Sequence, residues 1–196
     1  ERFNRLDGFS PATPCLVRFE NVEIDPASIP GQNDIGESVT AGSSVQIINL
    51  ETGERHPLMA ELDANDQAIL ERKRSLIIRP MRVFDWTTHY AVVLTDGIRD
   101  LAGGAVPAPQ NFRSLVEGKG IPPGLEGLKD HYEGLFARLE EFGIDMDRVI
   151  LAWDFWTGSK EVTLAQLTRV IEGTTADLPV DPATHIDGLR EKSVLL

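Results

Sequence analysis

Between residues 15 and 116 the apolar positions fall in short, β-branched and partly alternating runs broken by turn residues; from residue 125 they recur in steps of three and four. The first pattern predicts strands, at Cys15–Glu20, Val45–Leu50, His56–Leu62, Ser75–Pro80, His89–Leu94 and Asn111–Val116. The turns between them carry the expected residues: Asp25-Pro26, Ile29-Pro30-Gly31, Thr95-Asp96-Gly97 and Ala102-Gly103-Gly104, with Glu51-Thr52-Gly53-Glu54 placed as a hairpin turn. Gln67–Arg72 reads either as one helical turn or as a charged loop. Strands this short at this spacing suggest a mainly β fold, an antiparallel sandwich.

The second pattern predicts helices. Leu125, Leu128, Tyr132, Leu135, Phe136, Leu139 and Phe142 outline one amphipathic helix stopped by Gly143. Val162, Leu164, Leu167, Val170 and Ile171 outline another, capped by Ser159 or Thr163 and stopped by Gly173. Between them, Arg148–Trp156 is an apolar run with a single acid, Asp154, followed by Thr157-Gly158-Ser159. That is how a strand covered on both faces reads, and it is the expected centre of a core. Helix, buried strand, helix is the grammar of an α/β layer, and one strand alone makes no such sheet. The glycine- and proline-rich stretch Gly118–Gly124 is the clearest boundary signal. The expected organisation is a β-sandwich over residues 1–117, a linker at 118–124, a helix–strand–helix segment at 125–173 and a loop or linker at 174–196. That third segment is expected either to pack on the sandwich or to open an α/β domain, presenting an apolar patch to a second polypeptide or a copy of itself, which would make a homo-oligomer.

Composition refines this picture. With 41% apolar residues the chain has the makings of a core. A net charge of −12 repels phosphate backbones, and no basic stripe interleaves with aromatics, so nucleic acid is not an expected partner. No apolar run reaches the length of a transmembrane segment. Cys15, the single cysteine, lies in an apolar run and reads as a buried, inert thiol. The first residue is Glu1 and not Met, and the expectation is that a leader, a pro-segment or a tag has been removed ahead of it.

Candidate chemistry is sparse. A Gly-x-Ser-x-Gly elbow is absent; Ser159 comes nearest, but Glu161 stands where the second glycine belongs, and helix capping is the better reading. The histidines, at 56, 89, 131 and 185, show no metal-binding spacing. Asp63, Asn65 and Asp66, or Asp145 and Asp147, are weak calcium candidates without the glycine and terminal glutamate of an EF-hand loop. No catalytic residue, metal ligand or cofactor is therefore assigned. The binding or interface candidates are Trp153, Asp154, Phe155 and Trp156, with Leu128 and Leu135 on the preceding helix. Trp153 and Trp156 read either as core aromatics or as a sugar-stacking platform. Asp154, inside an apolar run, requires a hydrogen-bonding partner, either helix amides after it or an arginine.

Four stretches in combination, Asn4–Pro14 with its Asp-Gly-Phe-Ser-Pro core, Val45–Pro57, Leu76–Pro80 with His89–Val92, and Ala152–Ser159, resemble the N-terminal region of secreted or surface-anchored bacterial lipases and esterases, where an Ig-like sandwich precedes an α/β-hydrolase domain. The resemblance implies an extracellular or cell-surface setting and a non-catalytic Ig-like portion that supports or docks on a catalytic body, in cis or as a second chain. The catalytic serine, acid and histidine would lie beyond Leu196. The alternative is a free-standing adhesin or a carbohydrate- or polymer-binding sandwich that uses Trp153 and Trp156 from an exposed surface.

Overall fold

The computed structural model describes residues 7–20, 22–65 and 74–177. The described residues fall in two units, one within residues 7–158 and one that holds residues 159–177. The first holds strands β1 (Cys15–Val17), β2 (Val45–Asn49), β3 (Arg55–His56), β4 (Leu58–Leu62), β5 (Leu76–Pro80), β6 (His89–Thr95) and β7 (Val149–Trp156), and helices α1 (Gln110–Glu117) and α2 (Lys129–Glu141). The strands make two antiparallel sheets, ordered β1-β5-β4 and β3-β2-β6-β7.

Side-chain alternation in the four-stranded sheet builds two cores from one set of strands. Val45, Ile47, Tyr90, Val92, Leu94 and Phe155 point from one face towards Leu58, Ala60, Leu76 and Ile78 of the other sheet. From the opposite face Ile48, Ala91, Val93 and Ala152 meet Phe112 and Leu115 of α1 and Leu135, Phe136 and Leu139 of α2. The unit is therefore layered sheet, sheet, helices, and the middle sheet is covered on both sides. This is why β2 is buried at every position.

The Glu51–Glu54 turn forms as expected: Asn49 Oδ1 accepts the amides of Glu51 and Thr52, at 2.8 and 3.2 Å, and β3 returns against β2. The return is shorter than predicted. Pro57, which has no amide proton to offer a ladder, ends β3, and the chain crosses there into β4 of the other sheet.

Residues predicted as a last strand at Asn111–Val116 are instead helix α1. The alternation of Phe112, Ser114 and Val116 suggested a strand, but Phe112 and Leu115, three apart, are the two residues that bury. Gly118, at φ 65°, closes α1 in the left-handed conformation that glycine adopts without strain. The Gly118–Gly124 stretch thus joins α1 to α2 inside the unit.

β7 also departs from expectation. It is an edge strand, yet it pairs with β6 along its length, from His89 opposite Trp156 to Thr95 opposite Val149. Its apolar sequence reflects cover on two faces, by the second sheet and by the helices, and not a central place in a sheet. The premise of a buried strand with no sheet of its own is thereby overturned. Of the apolar helix face expected to await a partner, Leu135, Phe136 and Leu139 bury against this unit's own sheet, while Leu128 before the helix and Trp156 on the strand stay exposed.

In the other unit, α3 (Lys160–Asp177) begins at the expected cap, with Ser159 Oγ accepting the Val162 amide at 3.2 Å. It continues through Gly173, the predicted stop; one interior glycine costs about 1 kcal/mol, which does not end a helix by itself. The predicted turn at Gln67–Arg72 lies wholly outside the described residues, as do Asp66, His185 and the tail beyond Asp177.

Candidate functional site: an aspartate between two histidines beside an exposed tryptophan

Antiparallel pairing of β6 and β7 sets His89 directly opposite Trp156, and Ala91 opposite Asp154. His89, Asp154 and Trp156 share the face that the helices cover further along the sheet. Cross-strand neighbours on one face lie close enough to touch, and the His89 and Trp156 rings stack, with centroids 4.3 Å apart and planes 10° apart. The start of α2 brings His131 over the same place. Its Nε2 lies 2.7 Å from Asp154 Oδ1, while His89 Nε2 lies 2.6 Å from Oδ2. One carboxylate thus takes an imidazole N–H on each oxygen, from a strand on one side and a helix on the other.

Burial works against the charge on Asp154. The hydrogen bonds from His131 and His89, and the charge of those rings, outweigh it and hold the carboxyl below the usual range. Tyr132, next on α2, packs edge-on to His131 and has its phenol pushed up by burial and by the Asp154 charge. Asp154 is recessed, its side chain 12% exposed, whereas His131 is 50% exposed and Trp156 48%.

The candidate residues therefore divide. Asp154 and Trp156 come together on the outer face. Trp153 and Phe155 point the other way: Phe155 is buried and stacks on Tyr90, and the half-buried Trp153 lines an apolar cleft of about 240 Å3 with Phe9, Pro14, Cys15 and Leu16. Leu135 is buried under α2, and Leu128 is exposed just before it. The partners of Asp154 are two histidines, neither arginine nor helix amides, because α2 docks over this end of the sheet. His89, His131 and Tyr132 were not singled out by sequence. The one available signal was the acid in an apolar run, and only the β6–β7 register and the docking of α2 reveal what answers it.

Elsewhere the candidates serve the fold. Burial pushes the Cys15 thiol up to about 11, as an inert cysteine requires. Asp63 and Asp145 each accept a nearby backbone amide, of Asn65 and Asp147, in local turns. Among the described residues no group of three or more His, Cys, Asp or Glu is arranged to hold a metal ion, and no helix is long and apolar enough to cross a membrane. His56 is buried among Phe84 and Tyr90, with Nε2 2.7 Å from the Arg82 carbonyl and Nδ1 without a partner.

No protein-family model and no curated protein matches the sequence. Among solved structures, the N-terminal part of the bacterial S-layer protein SbsC is similar at 16% identity with a TM-score of 0.30, over 51% of this chain and 20% of that one. A likeness at that level carries no argument. What the fold and site define is a sheet-rich protein with a helix-covered middle sheet and, at the uncovered end of that sheet, a tryptophan beside a histidine-clamped aspartate.

Proposed function

We propose that residues 7–158 act as a non-catalytic binding module in an extracellular setting, taking a carbohydrate or another hydroxylated polymer on the face of Trp156. The observation that carries this reading is the exposure of Trp156, at 48%, with its other face backed by His89. A large indole ring at a β-strand end normally buries or finds a partner, and here it is held flat beside hydrogen-bonding groups. The hydroxyls of Ser28, Ser38 and Ser43 donate to nearby backbone carbonyls. Affinity electrophoresis through gels carrying soluble polysaccharides tests the reading. Retardation of the wild type that Trp156→Ala abolishes, with its unfolding curve unchanged, is the expected outcome; no retardation by any polysaccharide overturns it.

A second reading keeps the module within a lipase- or esterase-like hydrolase, docked on the catalytic body. Exposed Phe9 and Leu16, at the mouth of the cleft between the sheet edges β1 and β7, favour it. The Ig-like description of the two-sheet unit belongs to this proposal and rests on the sequence resemblance; the helices covering one sheet are a departure from a plain sandwich. Mass spectrometry of material purified from its source then finds a covalently continuous or co-purifying chain with a Gly-x-Ser-x-Gly elbow, while the isolated 196 residues hydrolyse esters only at background. A rate abolished by one serine substitution contradicts both readings.

A further inference from the structure

We infer that a second cleft of the two-sheet unit, away from Trp156, binds an apolar monocarboxylate, that is, an aliphatic or aromatic body ending in one carboxylate. The cleft measures about 430 Å3 and opens where the segment after β1, the edge strand β7 and the start of α1 meet. Phe19, Val22, Pro107, Ala108 and Leu151 give it apolar walls. Ala108 and Leu151 pack against both cores, so the cleft lies at the seam between them. A volume of roughly 300–1,000 Å3, apolar walls and a few placed polar groups are the usual form of a small-molecule site.

The polar groups that set its chemistry are two arginines. Arg18 follows β1 and precedes buried Phe19, and Arg113 follows buried Phe112 on α1. Each phenylalanine is anchored in a different core and holds its neighbour's backbone at the cleft. Among the described residues neither guanidinium makes an ion pair or a side-chain hydrogen bond, whereas Arg79, Arg82, Arg138 and Arg148 each pair with an acid. In a chain with 31 acids against 19 bases, two unpaired arginines on one cavity stand out. Their planar forks match a carboxylate through parallel N–H···O bonds. Glu20 lines the cleft as well, so two arginines and one glutamate leave a net charge of +1 in a chain that carries −12. One carboxylate neutralises that charge. A phosphate monoester, with about two charges, would set its second against Glu20.

Isothermal titration calorimetry of the full chain at neutral pH and low salt tests this with octanoate and with N-acetyl-leucyl-leucine, which represent a free acid and the end of a peptide as sources of the group. The expected result is saturable binding of at least one of these acids, weakened at least about tenfold in Arg18→Gln and in Arg113→Gln, where an exposed side chain is exchanged without opening the core. The carboxamide of the acid that binds, and acetate alone, each keep half of the chemistry and are expected to bind at least about tenfold more weakly. Trp156→Ala leaves the binding unchanged, because Leu151 and Trp156 are five residues apart on β7, about 16 Å along the strand, so failure here and failure of the carbohydrate reading are separate results. Binding of neither acid, binding undiminished in both arginine variants, or equal binding of the carboxamide or of acetate overturns the proposal.

Discussion

Asp154 and His56 are two ionisable groups inside this fold whose folded pKa values are both depressed, so both weaken the fold as pH falls, in different pH windows. Asp154 answers two imidazole N–H groups, and hydrogen bonds to a charged partner contribute about 2 kcal/mol. Asp154→Asn is therefore expected to lower unfolding stability at pH 7 by about that amount in urea melts. Because its folded pKa is depressed, the contribution is present at neutral pH and is lost as pH falls through the ordinary carboxylate range, near 3.9, towards the folded value. In Asp154→Asn that part of the acid limb flattens. His56 also has a depressed pKa, chiefly from burial. The sign is the same in a higher window: the unfolded chain takes up the proton first, so stability declines as pH drops below about 6.5 and levels off once the folded value is passed. His56→Gln removes this earlier decline, whatever it does to stability at pH 8. A wild-type profile flat from pH 7 to 5 contradicts the account of His56.

At the scale of elements, α2 is fastened by a buried stripe and by Arg138, whose guanidinium donates to the carbonyls of Leu50 and Glu51 and lies 4.4 Å from the Phe142 ring. Leu139→Ala, at a fully buried position, is expected to cost about 2–5 kcal/mol, whereas Leu128→Ala, at an exposed one, changes stability by less than about 0.5 kcal/mol. Denaturant melts of the two variants in the purified chain measure this. Equal, small losses mean that α2 does not pack on this sheet. A second fastening holds the end of β7: the Phe9 amide donates to the Trp156 carbonyl and the Gly158 amide to the Phe9 carbonyl, both at 2.8 Å. A Cβ on Gly8 would fall 2.6 Å from the Gly158 nitrogen. Gly8→Ala must therefore push this segment off the strand, and the expected readout is a changed Trp156 environment in tryptophan fluorescence together with lower stability.

Element type was legible where side-chain period and turn chemistry agreed. The β2–β3 turn, β5, β6, β7, the apolar stripe of α2 and the cap of α3 all follow from local residues. Locality also set the limit. Phe112-x-Ser114-x-Val116 satisfied a strand period, and only the Phe112–Leu115 contact with the sheet decided for a helix. The run into Trp156 announced two covered faces but not that one cover was a second sheet and the other the helix just before it in the chain. The site was half legible: Asp154 and Trp156 stood out, one as an acid and the other as an aromatic at the end of an apolar run. His131 and His89 are 23 and 65 residues from Asp154, and no spacing rule connects residues joined only by register and docking.

For the molecule as a whole, the account places one tryptophan at a ligand and the other two elsewhere. The chain's tryptophans are three, Trp86, Trp153 and Trp156, and each indole N–H gives its own signal in a nitrogen–proton correlation spectrum. Titration of the labelled chain with a neutral β-gluco-oligosaccharide is predicted to shift and broaden the Trp156 indole signal, assigned by its loss in Trp156→Ala, while Trp153 stays in place. A titration in which no indole signal moves, or in which Trp153 moves and Trp156 does not, contradicts the assignment of this face as the binding site.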